Sequence, residues 1–161
     1  MAQVAYYLKL DGIDGESQDS KHKGEIEIES FSWGVTNAGS SSGGGGGGTG
    51  RAVLQDIHFT TRANKSSPKL FLTCATGEHI KKAVLTCTKA GKDQQDYLKW
   101  TFTDVLVSSY TTNGSREDVI PMDQFAFNFT KIEVEYKPQK ADGSLDSAVN
   151  TGWNTKENKK V

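Results

Sequence analysis

The segment Glu25-Ile26-Glu27-Ile28-Glu29 alternates carboxylate and isoleucine without exception. That is the period-two pattern of a strand with one buried and one wet face. The pattern then changes phase, because the next large apolar residues are Phe31 and Trp33. Alternation cannot pass unbroken through Ser30, so a bulge or bend is expected there. The same switch recurs later: Phe125, Phe127 and Phe129 share one parity, while Ile132, Val134 and Tyr136 share the other. A second bulge near Thr130-Lys131 would reconcile them. Long strands that change face in mid-course suit a sheet that curls. With one short helix they predict a mainly β fold, a β-barrel of two antiparallel sheets with the helix packed on it.

Other segments fit this frame. Val4–Leu10 reads as a first strand, closed by the turn residues Asp11-Gly12-Ile13-Asp14-Gly15. Val53–Thr61 reads as a strand. Ser66-Ser67-Pro68 has the form of a helix start, with a serine cap and proline in the first turn, and Gly77 is the expected stop. Leu70, Phe71 and Cys74 would then share the buried face. Ile80–Lys89 and Tyr97–Tyr110 are further strands; in the latter, Val105-Leu106-Val107 is apolar on both faces, as befits burial between layers or at a subunit contact. From Pro138 onward periodicity is lost, which predicts an irregular tail, residues 138–161, anchored by Trp153.

Between two strand-like stretches lies Gly39-Ser40-Ser41-Ser42-Gly43-Gly44-Gly45-Gly46-Gly47-Gly48-Thr49-Gly50, with eight of the 17 glycines of the chain. Nothing in it can join a core, and glycine loses the most backbone freedom on ordering. Long loops of this kind are usually functional or disordered. The run contains a G-x-G-x-x-G pattern, as any polyglycine does. A dinucleotide site also needs a following helix, and a phosphate loop needs a terminal Gly-Lys. Here Arg51 onward reads as strand and Gly48 is followed by Thr49. No nucleotide or other cofactor is expected.

With 161 residues the chain fits one domain, residues 1–161, and 19 basic against 20 acidic side chains leave it nearly neutral. That balance argues against general binding of nucleic acid, which needs a basic face. No segment is apolar for long enough to span a bilayer. The start, Met1 to Leu10, lacks the features of a Sec-type signal, so the chain is expected to fold in the cytoplasm and to leave, if it leaves, by a route that does not read one. Cys74 and Cys87 are expected to be free thiols in a reducing compartment. Asp11, Asp14, Glu16 and Asp19 lack the spacing of a calcium loop. His22, His58 and His79 lack metal-ligand spacing. His79 is expected to favour the preceding helix C-terminus. No nucleophile elbow is present, and nothing demands an enzyme.

Several short motifs occur in order along nearly the whole chain. They are Asp14-Gly15-Glu16-Ser17 followed by His22; Ile26 with Ser32-Trp33-Gly34; the glycine loop; Gln55-Asp56; and Lys65-Ser66-Ser67-Pro68. Lys89-Ala90-Gly91, Val105-Leu106-Val107-Ser108-Ser109, Tyr136 to Gly143 and Gly152-Trp153-Asn154 complete the series. Together they resemble the haemolysin-coregulated proteins (Hcp), which build the inner tube of bacterial type VI secretion systems. The resemblance implies a barrel similar to phage tail-tube proteins. Six copies would form a ring, and rings would stack into a hollow tube inside a contractile sheath, tipped by a spike trimer and carrying effectors in its lumen. It also implies export through that apparatus.

Within that frame the glycine loop, residues 38–51 with Gly39, Gly43 to Gly48 and Gly50, is the expected assembly element. Its ordering on a neighbour would cost entropy and so weaken spontaneous stacking. If Phe31 and Trp33 pack inward, Ser32 faces outward and is a candidate to line the lumen and touch cargo. The competing reading of the same residues is a monomeric ligand-binding β-barrel.

Overall fold

The computed structural model describes residues 4–39, 50–89 and 94–161. In chain order the elements are β1 (Val4–Leu10), β2 (Ile26–Ile28), β3 (Ser30–Ser32), β4 (Val35–Asn37), β5 (Ala52–Leu54), β6 (Ile57–Arg62), α1 (Ser67–Thr76), β7 (His79–Lys89), β8 (Gln95–Asn113), β9 (Met122–Tyr136), β10 (Val149–Asn154) and β11 (Lys159–Lys160). Two sheets result, and every pairing among the described residues is antiparallel. The larger runs β11-β10-β9-β8-β7-β1-β2, with β6 also paired to β9 and β3 to β6; β4 and β5 pair only with each other. The fold is mainly β with one short helix, as the alternation pattern implies.

The first phase switch is a change of partner. Ile28 pairs with Tyr6 of β1, whereas Ser30 pairs with Thr60 of β6. Glu29 lies at the bend between them and donates its N–H to the Thr60 carbonyl at 2.8 Å. One residue thus joins the β1 side of the sheet to the β6 side. Pairing also runs from β1 through β7, β8 and β9 to β6, and the buried side chains of the core come from strands along that whole path.

The second switch lies at Thr130, but it is not the bulge that parity suggests. Thr103 pairs with Lys131 and Val105 with Phe129, so register continues through the break. Both strands turn together: Asp104 takes φ +56°, and Thr130 donates its hydroxyl to the Asp104 carboxylate at 2.8 Å. Phe102 and Val105 are therefore both buried, as are Phe129 and Ile132. The true inserted residue in this pair is Ser108, where Val107 pairs with Phe127 but Ser109 with Ala126.

The core is built on Phe59, Phe102, Phe125, Phe127 and Phe129. Phe59 stacks on Phe125 at 5.0 Å, and Phe102 meets Phe127 edge-on at 5.2 Å. Such arrangements suit the ring quadrupoles. Helix α1 closes one side through Leu70, which is fully buried.

Three local expectations need correction. The buried side chains of α1 are Leu70 and Thr73, and Phe71 is 61 % exposed. Ser66 does not cap the helix with its side chain. Instead Asn64 accepts the Ser66 N–H at 2.8 Å, and Ser67 accepts the Asn64 N–H at 2.9 Å. Gly77 does end the helix, at φ +70°. Finally, residues 138–161 are not simply irregular, because β10 lies along the second half of β9 from Val149 opposite Tyr136 to Asn154 opposite Lys131.

Candidate assembly surface

Several of the short sequence motifs contact one another or neighbouring strands. Gly15 donates to the Gly24 carbonyl at 2.8 Å, and a β-carbon there would lie 2.6 Å from the Glu25 carbonyl oxygen. Glu16 accepts the Lys65 N–H at 3.3 Å, which ties the first motif to the segment before α1. Ser67 donates to the buried carboxylate of Asp123 at 2.5 Å. Gln55 donates its N–H to the Gly34 carbonyl, and Asp56 accepts from Ser108 at 2.6 Å. The two halves of Gln55-Asp56 therefore hold the base of the β4–β5 hairpin and the β8 bulge. Motif spacing in this chain records how loops are pinned to strands.

Those pins present an arm. β4 and β5 pair from Val35–Leu54 to Asn37–Ala52, and neither hydrogen-bonds to the larger sheet. Val35 and Val53 are 53 % and 58 % exposed. At the far end, the Asn37 side chain donates to the Gly50 carbonyl at 2.8 Å and accepts the Gly39 N–H at 2.9 Å. A β-carbon on Gly50 would lie 2.8 Å from the Gly39 nitrogen, so the two ends of the glycine segment pass too closely for any side chain. Gly43 to Gly48 themselves lie outside the described residues.

Ser32 is exposed, while its neighbours Phe31, in β3, and Trp33, just after β3, pack against the core. Opposite pairs in a sheet share a face. Ser32 is opposite His58, and Ser30 is opposite Thr60, which is opposite Gln124, in turn opposite Thr111. Ser32 thus faces His58 across the sheet and lies beside a row of hydroxyl and amide side chains, Ser30, Thr60, Gln124 and Thr111. Sequence reasoning found only Ser32, because register is invisible until strands are paired.

A feature missed at the level of sequence is an apolar groove of about 300 Å³ between the arm and β9–β10. All three tryptophans of the chain line it. Trp33 and Trp100 meet at 5.5 Å, and Val35, Leu54 and Val134 complete the apolar wall. No local pattern in the sequence groups Trp33, Trp100 and Trp153, which lie far apart in the chain and meet only once the strands are paired. Gly152 permits the approach of β10, since a β-carbon there would lie 2.9 Å from the Ile132 carbonyl oxygen.

The titratable groups are spent on structure. His79 bonds Asp104 at 2.7 Å and, together with Thr130, helps hold that carboxyl below the usual carboxylate range. His22 is buried between Glu25 and Asp96. Burial pushes the Cys87 thiol up to about 12, so it is not a nucleophile near neutral pH. Cys74 and Cys87 are both free thiols. Among the described residues no three His, Cys, Asp or Glu side chains converge as a metal site, and no helix is long and apolar enough to cross a membrane.

The sequence pattern of the family described as "Type VI secretion system effector, Hcp" matches residues 7–136. The chain belongs to the Hcp family. Protein hcp1 of Pseudomonas aeruginosa is 41 % identical over 157 residues, which cover 96 % of this chain and 97 % of that relative. Among solved structures, a type six secretion system protein superposes with a TM-score of 0.94 at 31 % identity, covering 99 % of this chain and all of that one. Hcp1 from Salmonella typhimurium gives 0.80 at 32 % identity with the same coverage. The resemblance drawn from the motifs is thus found in this Hcp protein, as is the mainly β fold of two antiparallel sheets with one short helix.

Proposed function

We propose that this Hcp protein works through contacts between copies of itself, the β4–β5 arm being the principal one. As an Hcp protein it is a structural subunit of the type VI secretion tube, which Hcp subunits build from stacked hexameric rings. The observation that carries the arm's role is that its two strands pair only with each other. It is a two-stranded ribbon whose Leu54 packs against the core, with exposed valines on both strands and no strand pairing to the larger sheet. A hairpin alone is marginal in water and gains stability by lying against something. Between stacked rings one patch meets a different patch, so an arm on one subunit needs a receiving surface elsewhere on a subunit of the next ring. The apolar wall beside the arm lies next to that contact and extends it. Several such contacts per subunit add up even when each is weak.

In this reading the sheath encloses the outer surface of the tube, a spike trimer tips it, and effector proteins ride in the lumen against the hydroxyl-rich face that includes Ser32. The protein leaves the cell through the apparatus it helps to build and performs no catalysis.

Light scattering across a concentration series, with electron microscopy of the same samples, tests the proposal. The expected mass is that of a hexamer, falling on dilution as mass action requires. Shortening Gly43 to Gly48 is expected to leave rings but to reduce their stacking. A monomer at every concentration would overturn the assembly reading. Tubes of normal length from the shortened chain would remove the arm from it.

A further inference from the structure

His22 is only 5 % exposed, yet both of its ring nitrogens face carboxylates. Nδ1 lies 2.9 Å from Glu25 and Nε2 lies 3.0 Å from Asp96. A neutral imidazole has one N–H and can satisfy only one of these two acceptors. The other nitrogen would then turn a lone pair toward an anion inside the protein. Only the imidazolium satisfies both.

The ring also stacks on Tyr7 of β1, with centroids 4.5 Å apart and planes within 6°. The charged groups around it come from three places. Asp19 and Glu25 belong to its own loop; the Asp19 carboxylate accepts the His22 backbone N–H at 3.2 Å. Asp96 comes from the start of β8. Tyr7 comes from β1, and its phenol is held above its usual value by burial and by Asp19. Next in the chain, Lys21 donates to the Gln94 carbonyl at 2.7 Å. The 19–25 loop is therefore fastened to the β8 entry at two adjacent points. One of them titrates.

We propose that His22 is a proton-dependent staple that fixes the loop between β1 and β2 to the entry of β8, closed when the ring is protonated and open when it is not. The direction follows from the surroundings. Burial alone would lower the affinity of the ring for its proton, but hydrogen bonds to Asp96 and Glu25 outweigh it and raise the value above the ordinary one. A raised value in the folded protein means that the stabilisation is complete below about pH 6.5, the unfolded value, and is lost as pH rises through the folded value. The staple thus weakens on the alkaline side. Loop hydrogen bonds from Gly24 to the Ser17 carbonyl and from Ser17 to the Glu25 carbonyl would loosen with it.

Nuclear magnetic resonance of the intact protein, labelled at the histidine Cε1 positions, reads the titration of His22 directly. His58→Asn and His79→Asn identify the other two signals. The expected midpoint for His22 lies above about 6.5, and Asp96→Asn moves it down by about one pH unit, a tenfold change in proton affinity. Amide exchange at Ser17 and Gly24, corrected for intrinsic base catalysis, is expected to accelerate across the same midpoint. In His22→Gln that step should vanish, while the exchange of β8 and β9 core amides keeps its wild-type pattern. A midpoint at or below about 6.5 overturns the proposal. So does loop protection that is indifferent to pH in the wild-type protein, a result that stands even if the variants fold poorly.

Discussion

Single residues in this protein matter most where backbone meets backbone. Gly152 sits opposite Glu133, and any β-carbon there would press on the Ile132 carbonyl. Because the obstacle is main chain, the neighbour cannot swing aside. Gly152→Val should therefore cost about 1–3 kcal/mol, the usual range for forced overpacking, seen as a lower denaturation midpoint with an unchanged slope. Asp104 illustrates the reverse case. It is an aspartate in the left-handed region, where non-glycine residues are uncommon. His79 and Thr130 hold its carboxylate, which fixes the shared turn of β8 and β9. Strand parity located this turn but misread it as a bulge. Parity reports that a side chain changed face, and two strands turning together produce the same signature as one inserted residue.

At the scale of elements, what was legible in the sequence was what is coded locally. Helix α1 announces itself by Pro68 and Gly77, and β1, β2 and β7 by alternation or apolar parity. The tail was not legible. β10 reads Val-Asn-Thr-Gly-Trp-Asn with exposed residues in its first half, so no apolar period marks it. Its identity as a strand comes from β9, which offers one edge to β6 and then to β10. The Ser108 bulge was likewise invisible, because its purpose is a contact with Asp56 more than fifty positions away. Asp56→Ala should remove that hydrogen bond and cost about 1 kcal/mol, given the exposure of the pair. The hydrogen exchange of β8 around Ser108 should rise while that of β1 stays level. Equal loosening of both strands would mean that the bond does not hold the bulge in particular.

For the whole molecule, the candidate site was half legible. The glycine segment and Ser32 could be named from the chain, but neither the cross-strand hydroxyl field nor the tryptophan-lined groove could, since both are made by register. If the hydroxyl field lines the lumen, Ser32→Gln should reduce the effector protein recovered with purified rings and leave ring mass unchanged. Loss of rings would instead put Ser32 in a subunit contact. The pairing order carries a further consequence for the newly made chain. Val4 meets Lys89, and Ile57 meets Phe127, so two of the strand pairings join distant parts of the sequence. The β7–β8 and β8–β9 hairpins are local by comparison. Contacts that span long separations are slow to form. The local meander is thus the natural nucleus, and the first two strands must wait on it, exposed, while the ribosome adds the rest. Because β6 finds its partner only in β9, and β10 then pairs along β9, no complete subunit exists until both strands have emerged, and a half-made chain has no finished surface with which to join a ring prematurely.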